Sequence, residues 1–158
     1  MSSGSGNEVR GGRAGRPAEQ RLLIDGIIRR AAEATPEAPA ACVGTRENGY
    51  STLSYAELER DANRIAAVLR DRLGIGLGDR VLGWADTSIE VLPLFVALAK
   101  IGAVFAPLNA RLGPAEAAEI AQLARAKLLI VDSPRAADAP ALAASAGISE
   151  WALLPVDG

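Results

Sequence analysis

The chain has 158 residues, with 17 Lys and Arg against 19 Asp and Glu, one Cys and no His. A chain of this length forms one domain or one subdomain of a larger body, and it can bury a core without disulfides or a structural metal. The absence of His excludes Ser-His and Cys-His nucleophile pairs and removes the commonest zinc ligand.

The first segment is a tail, residues 1–21, which contains five Gly, three Ser and only one aliphatic side chain larger than Ala. Such a composition buries too little apolar surface to offset the entropy of ordering. It predicts a disordered Gly/Ser/Arg tail, followed by a folded unit over residues 22–158. Four Arg minus two Glu give the tail a net charge of +2. Because so small a charge binds phosphates weakly, we expect no nucleic-acid partner.

A helix and a hairpin follow the tail. Apolar residues from Leu22 recur at helical spacing until Pro36 stops the pattern. Strand-like runs at 40–44 and 50–53 flank an Asn-Gly pair, which predicts a hairpin. Cys42 lies in the first run, and there we expect a buried structural thiol.

A regular alternation begins after the hairpin. Strand-like runs start at Val81, Ala103, Leu128 and Trp151, at intervals of 22, 25 and 23 residues, and each interval holds one helical pattern. This alternation predicts parallel strands joined by right-handed crossovers. We therefore expect an α/β fold, a mostly parallel sheet with flanking helices and a short N-terminal hairpin.

Several local signals mark where helices begin and end. Ser54 with Glu57 forms a predicted capping box, and residues 87–90 repeat the pattern. The expected helix over 89–101 is apolar on nearly every face, so it needs cover on more than one side. We favour cover from protein outside this chain over cover from the sheet and its neighbours.

The same helix contains the longest strongly apolar stretch, Ile89 to Ala99, which is well short of the ~20 residues that cross a bilayer. The N-terminus also lacks the apolar core of a signal peptide. We expect no transmembrane segment and a cytoplasmic location, where a single unpaired Cys is usual.

Candidate binding residues lie in the loops after the strands, since ligands of open parallel sheets bind beyond the carboxyl ends of the strands. Asp86 and Asp132 could form an acidic Mg²⁺ pocket, but service at helix N-termini is the favoured interpretation. Arg111 could hold a phosphate or carboxylate, and Asn109 could donate and accept, although a solvated Arg is the commoner situation.

The glycine-rich stretch over 74–78 precedes a strand, whereas a phosphate-binding loop follows a strand and opens a helix. It is therefore interpreted as a turn. No GxxxxGK[ST] sequence occurs in the 158 residues.

Three segments resemble motifs of the AMP-forming acyl-CoA synthetase and adenylate-forming ligase superfamily. Residues 53–58 (LSYAEL) resemble its first core motif, and residues 98–109 (LAKIGAVFAPLN) resemble its second. Between them, residues 73–81 (LGIGLGDRV) resemble the turn into the following strand. The resemblance extends over about residues 22–132, in order and in register.

The resemblance implies the N-terminal subdomain of an AMP-binding (adenylation) domain. Enzymes of this family use ATP and Mg²⁺ to adenylate a carboxylic acid substrate and then transfer the acyl group to coenzyme A. Their Ser/Thr/Gly-rich phosphate loop, ribose-binding Asp and C-terminal Lys have no counterpart in these 158 residues. We therefore expect a chain truncated before the phosphate-binding loop, inactive alone, with no catalytic residue of its own, no tightly bound cofactor and the remainder of the domain as its partner.

The sequence around Asn109 and Arg111 resembles the acid-CoA ligase branch, in which the loop after this strand lies near the pantetheine channel. The resemblance thus implies that both residues lie on the coenzyme A side. Two alternatives stay open: a non-catalytic flavodoxin-like binding module, and the adenylation domain of a peptide synthetase.

Overall fold

The computed structural model describes residues 23–45 and 49–156. The predicted tail, residues 1–21, lies outside the described residues. The helices in the described part are α1 (Ile24–Ala34), α2 (Tyr55–Asp71), α3 (Val91–Lys100), α4 (Pro114–Ala124), a 3-10 turn (Ser133–Arg135) and α5 (Ala139–Ala146). The strands are β1 (Pro39–Thr45), β2 (Gly49–Ser54), β3 (Arg80–Trp84), β4 (Val104–Leu108), β5 (Leu128–Val131) and β6 (Glu150–Leu153).

Two sheets are present in this part of the chain. β1 and β2 form an antiparallel hairpin, while β4, β3, β5 and β6 lie side by side in that order in a parallel sheet. Both the hairpin and the four predicted strand starts are confirmed, the latter within one residue. The α/β fold class is therefore as predicted.

The parallel sheet is covered on both faces because successive side chains of a strand point to opposite sides. On one face Val81, Leu128 and Ile130 pack with α1, α2 and α3. On the other face Leu82 and Leu129 pack with α4 and α5. Both layers consist of side chains that are almost completely buried.

The first predicted capping box is confirmed and the second is wrong. The Ser54 hydroxyl accepts from the Glu57 amide at 3.3 Å, and the Glu57 carboxylate accepts from the Ser54 amide at 2.8 Å. α3 begins only at Val91, without a side-chain cap. Pro93 explains the late start, because it lacks the amide hydrogen that a helix beginning at residue 89 would donate to Ile89.

The expectation that α3 is covered mainly from outside the chain is also wrong. Leu94, Val96 and Leu98 are each 1% exposed, because α1, α2 and β4 pack around the helix. Phe95 is the side chain of α3 left substantially open, at 38% exposure. The apolar content of α3 thus belongs largely to the chain's own core.

Cys42 is exposed, which corrects the predicted buried thiol. The reason is that the hairpin packs little of its surface: Val43 and Tyr50 are exposed as well. Among the described helices, none is both long enough and apolar enough to cross a membrane.

Candidate functional site

The carboxyl ends of β3, β4 and β5 meet at one edge of the parallel sheet. Trp84, the last residue of β3, pairs with Leu108 on one side and Val131 on the other. The loops that follow these three strands therefore emerge next to one another. The helices after β3 and β4 then run to opposite faces of the sheet, which opens a crevice between the loops.

A cleft of about 530 Å³ occupies this crevice. Buried apolar side chains line it, among them Leu94, Ile130 and Leu154. The exposed polar residues of its lining are Asp86, Thr87, Asn109 and Arg111. Its volume and its combination of apolar wall and few polar groups are typical of small-molecule sites.

The two predicted site residues, Asn109 and Arg111, lie together at this cleft. The Asn109 side-chain oxygen accepts from the Arg111 backbone amide at 3.0 Å, which leaves the Asn109 NH₂ group directed elsewhere. Within the described part of the chain, no group pairs with the Arg111 guanidinium. The cleft therefore carries an uncommitted cation beside an amide donor, a combination suited to an anionic group.

Arg135 is a residue that the sequence did not single out. Its guanidinium contacts Asp132 at 2.6 Å and Asp86 at 3.2 Å, and it donates to the backbone carbonyl of Ala110 at 2.5 Å. The side chain is 14% exposed. The spacing of Asp132 and Arg135 is a recognisable local pair signal, whereas the contacts to Asp86 and Ala110 depend on the strand register.

Charge and hydrogen bonding keep Asp132 and Arg135 of this cluster ionised. Burial raises the pKa of Asp132, but the Asp86 amide donor and the Arg135 guanidinium outweigh burial and hold the pKa below its usual range. Burial likewise lowers the pKa of Arg135, and its bonds to Asp132 and Asp86 more than compensate, so the pKa is raised. At neutral pH Asp132 is therefore a carboxylate and Arg135 a guanidinium cation.

The contacts of Asp86 and Asp132 can be compared with the two roles considered for them, a Mg²⁺ pocket and service at helix N-termini. Asp132 is the N-cap residue of the 3-10 turn, as the favoured interpretation has it, although its side chain makes no capping bond. Asp86 lies outside the cap of α3, so for Asp86 that interpretation is wrong. Both carboxylates are committed to Arg135, and the described residues contain no group of three or more His, Cys, Asp or Glu side chains that could hold a metal ion. The residues described therefore do not fit a Mg²⁺ site.

The glycine-rich stretch lies at the other end of β3. Asp79 accepts from the Gly76 amide at 2.9 Å and pairs with Lys127 at 3.0 Å, while Gly74 and Gly78 adopt positive φ. These bonds close a tight turn into the strand. The interpretation as a turn, without phosphate binding, agrees with this position.

Comparison with known families decides the relationship. A family model described as AMP-binding enzyme matches residues 28–153, from within α1 to the end of β6. The chain belongs to the AMP-binding enzyme family. The match covers both sheets and every residue that lines the cleft except Leu154, so the resemblance found in the sequence is confirmed.

Relatives in this family are coenzyme A ligases. Over 81 residues the chain is 43% identical to a crotonobetaine/carnitine–CoA ligase of Salmonella arizonae, covering 51% of this chain and 16% of the relative. Over 103 residues it is 37% identical to the long-chain-fatty-acid–CoA ligase FadD13 of Mycobacterium tuberculosis, covering 63% of this chain and 20% of the relative. The chain thus spans about a fifth or less of the length of these AMP-binding enzymes.

Solved structures of the family show the same fold. A fatty acyl CoA synthetase of Mycobacterium tuberculosis matches with a TM-score of 0.72 at 32% identity, over 83% of this chain and 26% of that one. ATP-bound MatB from Rhodopseudomonas palustris matches with a TM-score of 0.62 at 27% identity, over 82% and 25%.

Proposed function

We propose that residues 22–158 form the N-terminal part of an AMP-forming carboxylic acid–CoA ligase. The observation that carries the proposal is the family match over residues 28–153. The two relatives described above are both named as coenzyme A ligases, which favours this branch over a peptide-synthetase adenylation domain. Family membership also favours a ligase over an unrelated flavodoxin-like binding module.

In this proposal the whole enzyme uses ATP, Mg²⁺ and coenzyme A, and the groups that act on ATP lie outside these 158 residues. Adenylation converts a carboxylate, whose oxygen is a poor leaving group, into a mixed anhydride that a thiol attacks readily. This chain contributes the sheet, the cleft and, on the coenzyme A side, Asn109 and Arg111. Since the relatives are named for different acids, we assign no particular acid.

A cytoplasmic location belongs to the same proposal, because coenzyme A chemistry and the exposed thiol of Cys42 both suit a reducing compartment.

A chimera tests the proposal directly. Residues 28–153 replace the matching segment of the long-chain-fatty-acid–CoA ligase FadD13, and ATP–pyrophosphate exchange is measured with and without a fatty acid. We expect acid-dependent exchange from the chimera and coenzyme A thioester as product. The isolated 158-residue chain serves as the control, and we expect no exchange from it.

Two results would contradict the proposal. One is a folded chimera, verified by circular dichroism, that gives no acid-dependent exchange. The other is exchange by the isolated chain, which would place catalytic groups within it. If the chimera does not fold, the coding sequence after codon 158 decides: we expect a Ser/Thr/Gly-rich stretch followed by Pro-Lys-Gly, and a reading frame without it would refute the proposal.

A further inference from the structure

One guanidinium connects all three loops at the carboxyl edge of the sheet. Arg135 contacts Asp86 in the loop after β3, the Ala110 carbonyl in the loop after β4, and Asp132 directly after β5. A fourth bond closes the arrangement, since the Asp86 amide donates to Asp132 at 2.8 Å. No other bond in the described residues links the loop after β4 to the other two.

The geometry of the guanidinium makes this arrangement possible. One terminal nitrogen of Arg135 contacts Asp132 and Asp86, and the other donates to Ala110 and also lies 3.4 Å from Asp86. The guanidinium carbon lies 5.6 Å from the centre of the Trp84 ring, which supports its plane from one side. A lysine ammonium is a point charge without a fork and reaches fewer of these groups at once.

The position of Ala110 connects the cluster with the cleft. Ala110 lies between Asn109 and Arg111, two cleft residues whose side-chain N–H groups have no partner among the described residues. Holding its carbonyl therefore fixes the backbone on which both side chains stand. Arg135 also pairs with Asp86, which lines the same cleft.

We propose that Arg135 is the positioning residue of the candidate site, and that it holds residues 109–111 so that the Asn109 amide and the Arg111 guanidinium face the cleft. The identity of the bound group, an anionic part of coenzyme A, rests on the proposed function. The positioning itself does not depend on it. The two are therefore tested by separate measurements.

The first measurement is amide hydrogen exchange in the 158-residue chain. Wild type, Arg135→Ala and Arg135→Lys are compared at Arg111 and Leu112, whose amides bond to Asn109. We expect exchange at both amides to rise by about tenfold or more in Arg135→Ala, since a charge-assisted bond is lost. Arg135→Lys should restore little of the protection, and added guanidinium ion should restore part of it to Arg135→Ala.

Arg80→Ala is the matched control. Arg80 also donates from its guanidinium to a backbone carbonyl, that of Ala124 at 3.1 Å, but at the opposite end of β3. We expect it to leave exchange at Arg111 and Leu112 unchanged. Tryptophan fluorescence gives a second readout, because Trp84 is the sole tryptophan once Trp151 is changed to Phe. In that background we expect Arg135→Ala to shift the emission wavelength of Trp84 and Arg80→Ala to leave it unchanged.

The proposal is wrong if folded Arg135→Ala exchanges at these amides like Arg80→Ala, or if Arg135→Lys restores full protection. If Arg135→Ala does not fold, Asp86→Asn takes its place, since the Asp86 side chain is 70% exposed and its change removes one arm of the cluster. We expect a smaller rise at the same two amides, and no rise would refute the proposal.

Coenzyme A titration followed by amide shifts then tests the ligand. We expect Arg111→Ala and Arg135→Ala to weaken binding by about fivefold or more, and Arg80→Ala to leave it unchanged. Absence of binding to the wild-type chain would contradict the assignment of Asn109 and Arg111 to coenzyme A, while the exchange data would still decide the role of Arg135.

Discussion

At the residue scale, the capping box at the start of α2 depends on the ionised carboxylate of Glu57. Its carboxylate accepts from the Ser54 amide and the Ser54 hydroxyl, both at 2.8 Å. These bonds, the amide bond first, hold the pKa of Glu57 below its usual range. Because the folded pKa is depressed, the stabilisation is present above the unfolded pKa of about 4.3 and is lost as pH falls through the folded pKa.

We therefore expect Glu57→Gln to lower the free energy of unfolding at pH 7 and to matter progressively less as the pH falls below the unfolded pKa of Glu57. Urea unfolding at several pH values measures the difference between wild type and variant. Glu119→Gln, which changes an exposed carboxylate on α4, is the control for loss of one surface charge. A difference for Glu57→Gln that stays constant down to pH 3 would contradict the expectation.

The candidate site was predictable only in part at this scale. Asn109 and Arg111 follow a recognisable strand, so their place at the carboxyl edge of the sheet could be inferred from the sequence. The partner of Asp86 could not, because Arg135 lies 49 residues further along the chain. The amide donor of Asp132 could not be inferred either, because that donor belongs to Asp86, 46 residues away. The sequence next to Asp132 indicates only the start of a helix.

At the element scale, the junction between α3 and β4 depends on one backbone conformation. Gly102 adopts φ +71°, and its carbonyl accepts from Gly78 at 2.9 Å. The residue before it, Ile101, is the C-cap of α3, and Ala103 leads directly into β4. Only glycine occupies this left-handed conformation without strain.

Gly102→Ala should therefore destabilise the chain by about 1–2 kcal/mol. The exposed Leu77 side chain, whose Cδ1 lies 2.6 Å from the position that the alanine methyl would take, can move aside, so the cost comes mainly from the backbone. Gly26→Ala is the matched control: it lies in α1 with its nearest atom, of Arg30, at 3.7 Å. There we expect a gain of up to about 1 kcal/mol.

Thermal unfolding distinguishes the two glycine changes by their opposite signs. If both variants melted at the wild-type temperature, or if Gly102→Ala raised the melting temperature, the left-handed backbone at residue 102 would not be what requires a glycine there.

Element bounds in general were predictable where capping and breaking residues are local. They failed at α3, where Pro93 delays a helix that the apolar pattern alone extends.

At the scale of the whole molecule, one parallel sheet separates two apolar layers. Ile130, 1% exposed, belongs to the layer under α1, α2 and α3, and Ile148, 5% exposed, belongs to the layer under α4 and α5. The layers share no side chains but share the strands β3 and β5. We therefore expect them to unfold together.

Ile130→Val and Ile148→Val test this cooperativity with the same chemical change on each face. Each should cost about 0.5–1.5 kcal/mol, and the double variant should cost the sum of the two. Urea unfolding is followed, in the Trp151→Phe background, by far-ultraviolet circular dichroism and by fluorescence of Trp84, which lies in the second layer. Separate transitions by the two probes would show that the layers unfold independently.

The sequence by itself determined the order of the elements, the parallel sheet and the family, because helical and strand periodicity, capping and the core motifs are properties of neighbouring residues. The tertiary structure alone decided the cover of α3, the exposure of Cys42 and the Arg135 cluster. The physical reason is distance along the chain: Arg135 meets Ala110 across 25 residues and Asp86 across 49, and only the register of β3, β4 and β5 brings these groups together.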